Sequence, residues 1–155
     1  MIHFYVEDSE CELGWVPFNR HCYKMTTGKK YWPSSEKDCI ETDAHLASVH
    51  SEEENEFLIR FASSHGVISY FYIGGYKDGR GSKRWTDGSN FDYENLSRPT
   101  WSNCTTIIAT GPHSGIWTGM YCADPDSNNF YGVCKKSMKG KFITMTSYKT
   151  SIIDL

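Results

Sequence analysis

No Cys-x-x-Cys pair occurs in these 155 residues, although cysteine is present six times. Zinc ribbons and thioredoxin-type redox sites need that close spacing, which argues against both. Nowhere do 18 apolar residues run consecutively, so no segment reads as a bilayer-spanning helix and no membrane insertion is expected. Charge of one sign is lacking too: 16 Lys and Arg against 19 Asp and Glu give a formal net charge of −3. That balance supplies no electrostatic footprint for nucleic acid and no basic face for lipid headgroups. Motifs of catalysis are missing as well. There is no His-Glu-x-x-His and no glycine-rich phosphate cradle. Gly111-Pro112-His113-Ser114-Gly115 sets His beside Ser, unlike the elbow of a Gly-x-Ser-x-Gly hydrolase. The chain is not expected to be an enzyme.

What is present points to one extracellular domain. The cysteines at 11, 22, 39, 104, 122 and 134 form an even, well-separated set, which reads as three disulfides made in an oxidising compartment. Spacing alone leaves fifteen connectivities open. Two glycosylation acceptors, Asn95-Leu96-Ser97 and Asn103-Cys104-Thr105, agree with secretion. The N-terminus carries no signal peptide, so a mature form with its leader removed is expected. Five Trp, ten Tyr and eight Phe support a well-filled core or a stacking surface.

Along the chain, residues 12–27 read as two short aromatic strands around a turn at Asn19-Arg20. A first helix is expected from Pro33-Ser34-Ser35, with Ser as N-cap and Glu36 and Asp38 in its first turn, to about Thr42-Asp43. Ser51-Glu52-Glu53-Glu54 is a capping box for a second helix, whose apolar stripe is Phe57, Leu58, Phe61 and Ala62 and whose end is His65-Gly66. Strands are expected over Tyr70–Ile73, 104–110, 115–118 and 130–135. Residues 87–103 form a long segment of little periodicity. Hairpin, two helices, then strands and loops read as an α+β fold with antiparallel pairing.

These residues together resemble a C-type lectin-like domain. The resemblance rests on Cys11, Gly14-Trp15 and Cys22-Tyr23, then Cys39 and Ala44-His45-Leu46-Ala47-Ser48-Val49 leading into the capping box. It continues through Tyr72-Ile73-Gly74-Gly75, Trp85-Thr86-Asp87-Gly88-Ser89, Cys104, Gly115-Ile116-Trp117, Cys122 and Val133-Cys134-Lys135. The chain is similar to small secreted single-domain members of invertebrates, nematodes included. The resemblance implies the C-type lectin fold, with two helices flanking antiparallel sheets, a long loop region and three disulfides. Those would be Cys11–Cys22, Cys39–Cys134 and Cys104–Cys122. The second closes a 95-residue loop, worth roughly 4–5 kcal/mol if chain entropy dominates. Residues 1–10 would be an extension, 11–136 the domain and 137–155 a tail, within which β-prone Phe142–Tyr148 could add an edge strand to its own sheet or to a partner, although a frayed or weakly docked tail is the favoured expectation.

In sugar-binding members a long-loop calcium ion takes its oxygens from a Glu-Pro-Asn or Gln-Pro-Asp triplet and a Trp-Asn-Asp triplet. Here those positions read Arg98-Pro99-Thr100 and Trp117-Thr118-Gly119, so the donors a hard cation needs are gone. Calcium is therefore not expected there, and no cofactor is expected. A second calcium position of some relatives corresponds to the Ser48 carbonyl, His50, Glu54 and Lys135, with Lys135 placed to be an internal counter-ion to Glu54. His50 and Glu54 are the weak candidates for a metal, though two ligands make a poor zinc site. Asp124-Pro125-Asp126-Ser127-Asn128 begins like an EF-hand, but Asn129 and Lys135 replace its Gly and Glu, so a turn is expected. Lys77, Arg80, Lys83 and Arg84 make a basic turn, read as a solvated edge.

The expected function is a secreted recognition module without calcium-dependent hexose binding. It would meet an extracellular protein or glycan through Tyr93, Arg98, Thr100, Trp101, Asn103, Trp117 and Thr118, as a monomer or weak dimer, with Trp117 expected rather in the core beneath and with Asn95 and Asn103 as glycosylation candidates. The alternatives are a carbohydrate-binding lectin, calcium-independent or with non-standard calcium ligands, and a toxin-like partner domain acting through an oligomer interface.

Overall fold

The computed structural model describes residues 10–97, 102–123 and 129–140. Arg98, Thr100 and Trp101, the EF-hand-like run at 124–128 and the β-prone Phe142–Tyr148 lie outside the described residues. Strands β1 (Val16–Phe18) and β2 (His21–Met25) pair through Asn19 and Arg20. Both turn residues have positive φ, 42° and 65°, the hand that lets a two-residue turn follow the strand twist.

Helix α1 (Trp32–Ile40) starts ahead of the expected serine cap. Its N-cap is Tyr31 with no side-chain bond, and Pro33 sits in the first turn, where a missing N–H costs nothing. The expected capping and first-turn residues do other work. Ser35 is buried, Asp38 accepts the Thr27 N–H at 2.8 Å, and Glu36 accepts the Leu46 N–H at 2.8 Å. Helix α2 (Glu52–Ser64) begins as expected, with the Ser51 Oγ accepting the Glu54 N–H at 3.1 Å. Leu58, Phe61 and Ala62 of its stripe are buried.

The sheet runs β1-β2-β8-β4-β6-β7, with β4 (Tyr70–Lys77), β6 (Cys104–Ile108), β7 (Trp117–Met120) and β8 (Tyr131–Ser137). Short β3 (His45–Leu46) joins β8, and β5 (Lys83–Trp85) joins β4. Pairing is not wholly antiparallel as expected: β4 and β8 run parallel, with Phe71 opposite Tyr131 and Tyr72 opposite Gly132. More than fifty residues separate these strands, ample for the crossover that parallel neighbours require. Gly74 is required where β3 crosses β4, since a Cβ there would lie 2.4 Å from the Leu46 carbonyl oxygen.

Leu58, Phe71, Ile73, Ile107, Trp117 and Val133 fill one core cluster, and Trp32, Leu46 and Tyr72 a second beside the disulfides. Cys11 is bonded to Cys22, Cys39 to Cys134 and Cys104 to Cys122, the three pairs that the resemblance implies. The Cys39–Cys134 bond ties α1 to β8, and Cys104–Cys122 closes the two ends of the β6–β7 hairpin.

Candidate functional site

The capping box carries more than a helix start. One turn into α2, Glu54 is buried, and its two carboxylate oxygens face different partners. Oε2 accepts the His50 backbone N–H at 2.8 Å. Oε1 accepts the Tyr23 hydroxyl at 2.6 Å and pairs with the Lys135 ammonium, which also donates to the Ser48 carbonyl at 3.0 Å. Lys135 is only 6% exposed. A cation so far from water persists only where a carboxylate and further oxygens replace its hydration. Burial, followed by the charge and hydrogen bond of Glu54, pushes the Tyr23 hydroxyl far above the usual tyrosine range, so it stays a donor.

From this buried pair a polar chain runs outward into the long loop. Ser48 Oγ, within 3.3 Å of the Lys135 ammonium, donates to Asp87 Oδ2 at 2.5 Å. Asp87 Oδ1 accepts the Ser89 hydroxyl at 2.5 Å, and Ser89 Oγ lies 3.0 Å from His50 Nε2. His50 Nδ1 faces Asp92 Oδ1 at 2.6 Å. Desolvation pushes the Asp87 carboxyl up, but hydrogen bonds from Ser48 and Ser89 outweigh it and hold the group below its ordinary range. The His50 hydrogen bond does the same for Asp92. The polar atoms of His50 and Glu54 are turned to different partners, and among the described residues no group of three or more His, Cys, Asp or Glu is arranged to hold a metal.

Aromatic rings pin the same loop from its other side. Phe91 stacks on Trp85 with centroids 4.7 Å apart, and Tyr93 meets the edge of Trp117 at 5.7 Å. Desolvation, then Glu52, Glu53 and Glu56 on α2, raise the Tyr93 hydroxyl above the ordinary value, so it too remains protonated. Trp117 is fully buried, in the core beneath the loop. Its indole N–H donates to Asn55 Oδ1 at 2.7 Å, and its rings carry the loop rather than meet solvent. Thr118 is half-buried and 2.8 Å from the Thr106 hydroxyl, Tyr93 is half-buried, and Asn103 is exposed. A niche of about 20 Å³ between Tyr76, Phe91, Leu96 and Asn103 is large enough for a single water. Two of the four charges of the basic turn are paired: Arg84 with Asp78 at 2.8 Å and Lys83 with Glu94 at 2.5 Å. Sequence reasoning had no means of finding the Asp87–Ser48 and His50–Asp92 links, since each joins residues about forty apart.

A family model described as Lectin C-type domain matches residues 28–136. Snaclec rhodocytin subunit alpha of Calloselasma rhodostoma is 34% identical over 122 residues, covering 73% of this chain and 88% of the relative. Ladderlectin of Oncorhynchus mykiss is 39% identical over 93 residues, 58% of this chain and 48% of its own length. The crystal structure of a calcium-independent type II antifreeze protein superposes with a TM-score of 0.71 at 24% identity, covering 88% of this chain and 98% of that one, a likeness of fold alone. Snake and fish supply the curated relatives among these, and they give the expected nematode-like kinship no support. None of these three is named as an enzyme, although another snaclec, of Daboia siamensis, 33% identical over 118 residues, is named as a light chain of the coagulation factor X-activating enzyme. No helix among the described residues is long and apolar enough to cross a membrane. On the match across most of its length, the chain belongs to the C-type lectin domain family.

Proposed function

We propose that this chain is an extracellular recognition module, built from residues 11–136, that meets a protein or glycan ligand through its long-loop surface without calcium. The observation that carries this reading is the Lys135 ammonium. It donates to Glu54 and to the Ser48 carbonyl, two of the groups corresponding to the second calcium position of some relatives. A divalent ion at that position would meet a fixed positive charge within a few ångströms, and like charges so close in a desolvated site repel strongly. The second expected triplet supports the same reading, because Thr118 is committed to Thr106 and Gly119 has no side chain.

Tyr93 and Thr118, with Arg98, Thr100 and Trp101 nearby in sequence, are the contacts we assign to the ligand. Aromatic faces and an arginine fork suit either a protein surface or a sugar carrying an anionic group. Arrays of glycans and of extracellular proteins, probed with and without a chelator, test the reading. The expected result is protein or glycan binding that the chelator leaves unchanged. Binding to mannose- or galactose-type sugars that the chelator abolishes overturns it. Chelator-resistant binding to glycans alone makes the chain a calcium-independent lectin. Light scattering is expected to give a monomer or a weak dimer, and a stable higher oligomer would favour a partner domain acting through its interface.

A further inference from the structure

Two tripeptides in this chain carry the pattern for N-linked glycosylation, and their surroundings differ. The Asn95 side-chain nitrogen, the atom a glycan would occupy, donates to the Gly115 carbonyl at 2.9 Å in a half-buried setting. Asn55 brings a second amide to that same oxygen at 3.0 Å. The Asn95 backbone is docked as well: its carbonyl accepts the Trp117 N–H at 2.9 Å, and Leu96 bridges to Trp117. Gly115 beneath is itself confined, with φ at 88° and room for a Cβ only 2.9 Å from Ile59. A sugar ring joined at the Asn95 nitrogen would stand against this packed segment.

Asn103 is different. It precedes β6, its carbonyl accepts the Lys77 N–H at 2.9 Å, and its side chain is exposed. The backbone is held in place while the amide is left to solvent. The hydroxyl residue two positions on, Thr105, is half-buried in β6.

We propose that Asn103 is the glycosylated asparagine of this chain and that Asn95 is not. The proposal rests on the extracellular reading above, because the donor, a lipid-linked diphosphate oligosaccharide, belongs to the secretory route. In the transfer the bond from the sugar C1 to the diphosphate oxygen breaks and a bond from C1 to Asn103 Nδ2 forms. The nitrogen gives up one proton and the lipid diphosphate leaves. The glycan then stands over the niche between Tyr76, Phe91 and Leu96 and shields that flank of the long loop.

Expression of the full chain through a eukaryotic secretory host, followed by enzymatic deglycosylation in heavy-oxygen water and peptide mass spectrometry, tests this. The expected result is heavy aspartate at position 103 and unmodified asparagine at 95. Asn103→Gln should abolish the glycan-bearing band, whereas Ser97→Ala, which removes the other acceptor pattern and leaves the Asn95–Gly115 bond intact, should leave the band unchanged. Heavy label at position 95 on the secreted, folded chain overturns the proposal. So does a bare Asn103 on a secreted chain with all three disulfides formed, an outcome that leaves the recognition reading standing, since chelator-resistant binding is measured separately.

Discussion

From Tyr70↔Ile108 to Ile73↔Thr105, strands β4 and β6 are held by consecutive backbone pairs, whereas residues 87–96 of the long loop are tied down chiefly by side chains. Phe91 rests on Trp85, Tyr93 on Trp117, Asp92 on His50, Glu94 on Lys83 and Asn95 on the Gly115 carbonyl. Ladder bonds form whatever the side chain, so the sheet tolerates sequence change as long as its apolar pattern survives. Bonds of the second kind vanish with the residue that makes them. The same scaffold can therefore carry loops of different shape, and recognition resides in the loop. The Lys135–Glu54 pair stands at the joint between the two regimes, with β8 and α2 on one side and the Ser48–Asp87 link on the other.

Breaking that joint should have the largest effect. Lys135→Met removes the ammonium and leaves the Glu54 carboxylate buried without its counter-charge, a loss of about 3–5 kcal/mol in urea unfolding. Adding Glu54→Gln should recover part of it, because a neutral amide can still face Tyr23 and the His50 N–H without a cation. A single-variant loss below about 1 kcal/mol would mean that water reaches the pair and that the joint is not dry.

Phe91→Ala addresses the loop alone. The ring is half-buried, so about 2–3 kcal/mol is expected, below the 3–5 typical of a fully buried phenylalanine. Hydrogen exchange should localise the change to the segment around residues 87–96 and leave β4 and β6 protected. Loss of protection across the sheet would show that loop and scaffold unfold as one unit.

How much of this was legible beforehand follows the same division. The capping box at Ser51 and the apolar stripe of α2 announce themselves because both depend on neighbours within one or two helical turns. The Asn19-Arg20 turn is local in the same sense. The start of α1 was misplaced because Tyr31 and Trp32 carry no capping chemistry; Trp32 is fixed by its indole bond to the Ile73 carbonyl, 41 residues away. The parallel β4–β8 pair was missed for a related reason, since periodicity marks a strand and says nothing of its partner's direction. At the site, the resemblance brings Lys135 and Glu54 together and sets Trp117 in the core beneath the loop, where it is fully buried. The chain from Ser48 to Asp92 had no signal at all, being assembled by closure of the fold.

Acid should loosen the loop before the sheet. The Asp87 carboxyl lies below its ordinary value of 3.8 in the folded chain, so the unfolded chain binds that proton more readily. The stability Asp87 contributes is fully present above 3.8 and is lost as pH falls through the lower folded value. Asp87→Asn should therefore flatten the acid limb of the stability profile while leaving the slope near neutrality unchanged. An identical acid limb in the variant would assign the acid sensitivity to other carboxylates, with Asp38 the first to examine, since burial there is also outweighed, by bonds from Thr27 and Lys30.

The smallest effect should come from Lys83→Ala. Its ammonium and the Glu94 carboxylate are 41% and 49% exposed, and an ion pair so open to water contributes at most about 1 kcal/mol once screening and side-chain entropy are counted. The loss should shrink further as salt is added, because exposed charges are screened within about 10 Å at moderate ionic strength. Measured beside Phe91→Ala, the variant separates the two ways in which side chains could hold the loop. If the aromatic seats on Trp85 and Trp117 carry it, Lys83→Ala leaves exchange protection at residues 91–96 almost intact. If it instead opens that segment as far as Phe91→Ala does, the charge pair is the fastening, and the rings merely fill the space that it encloses.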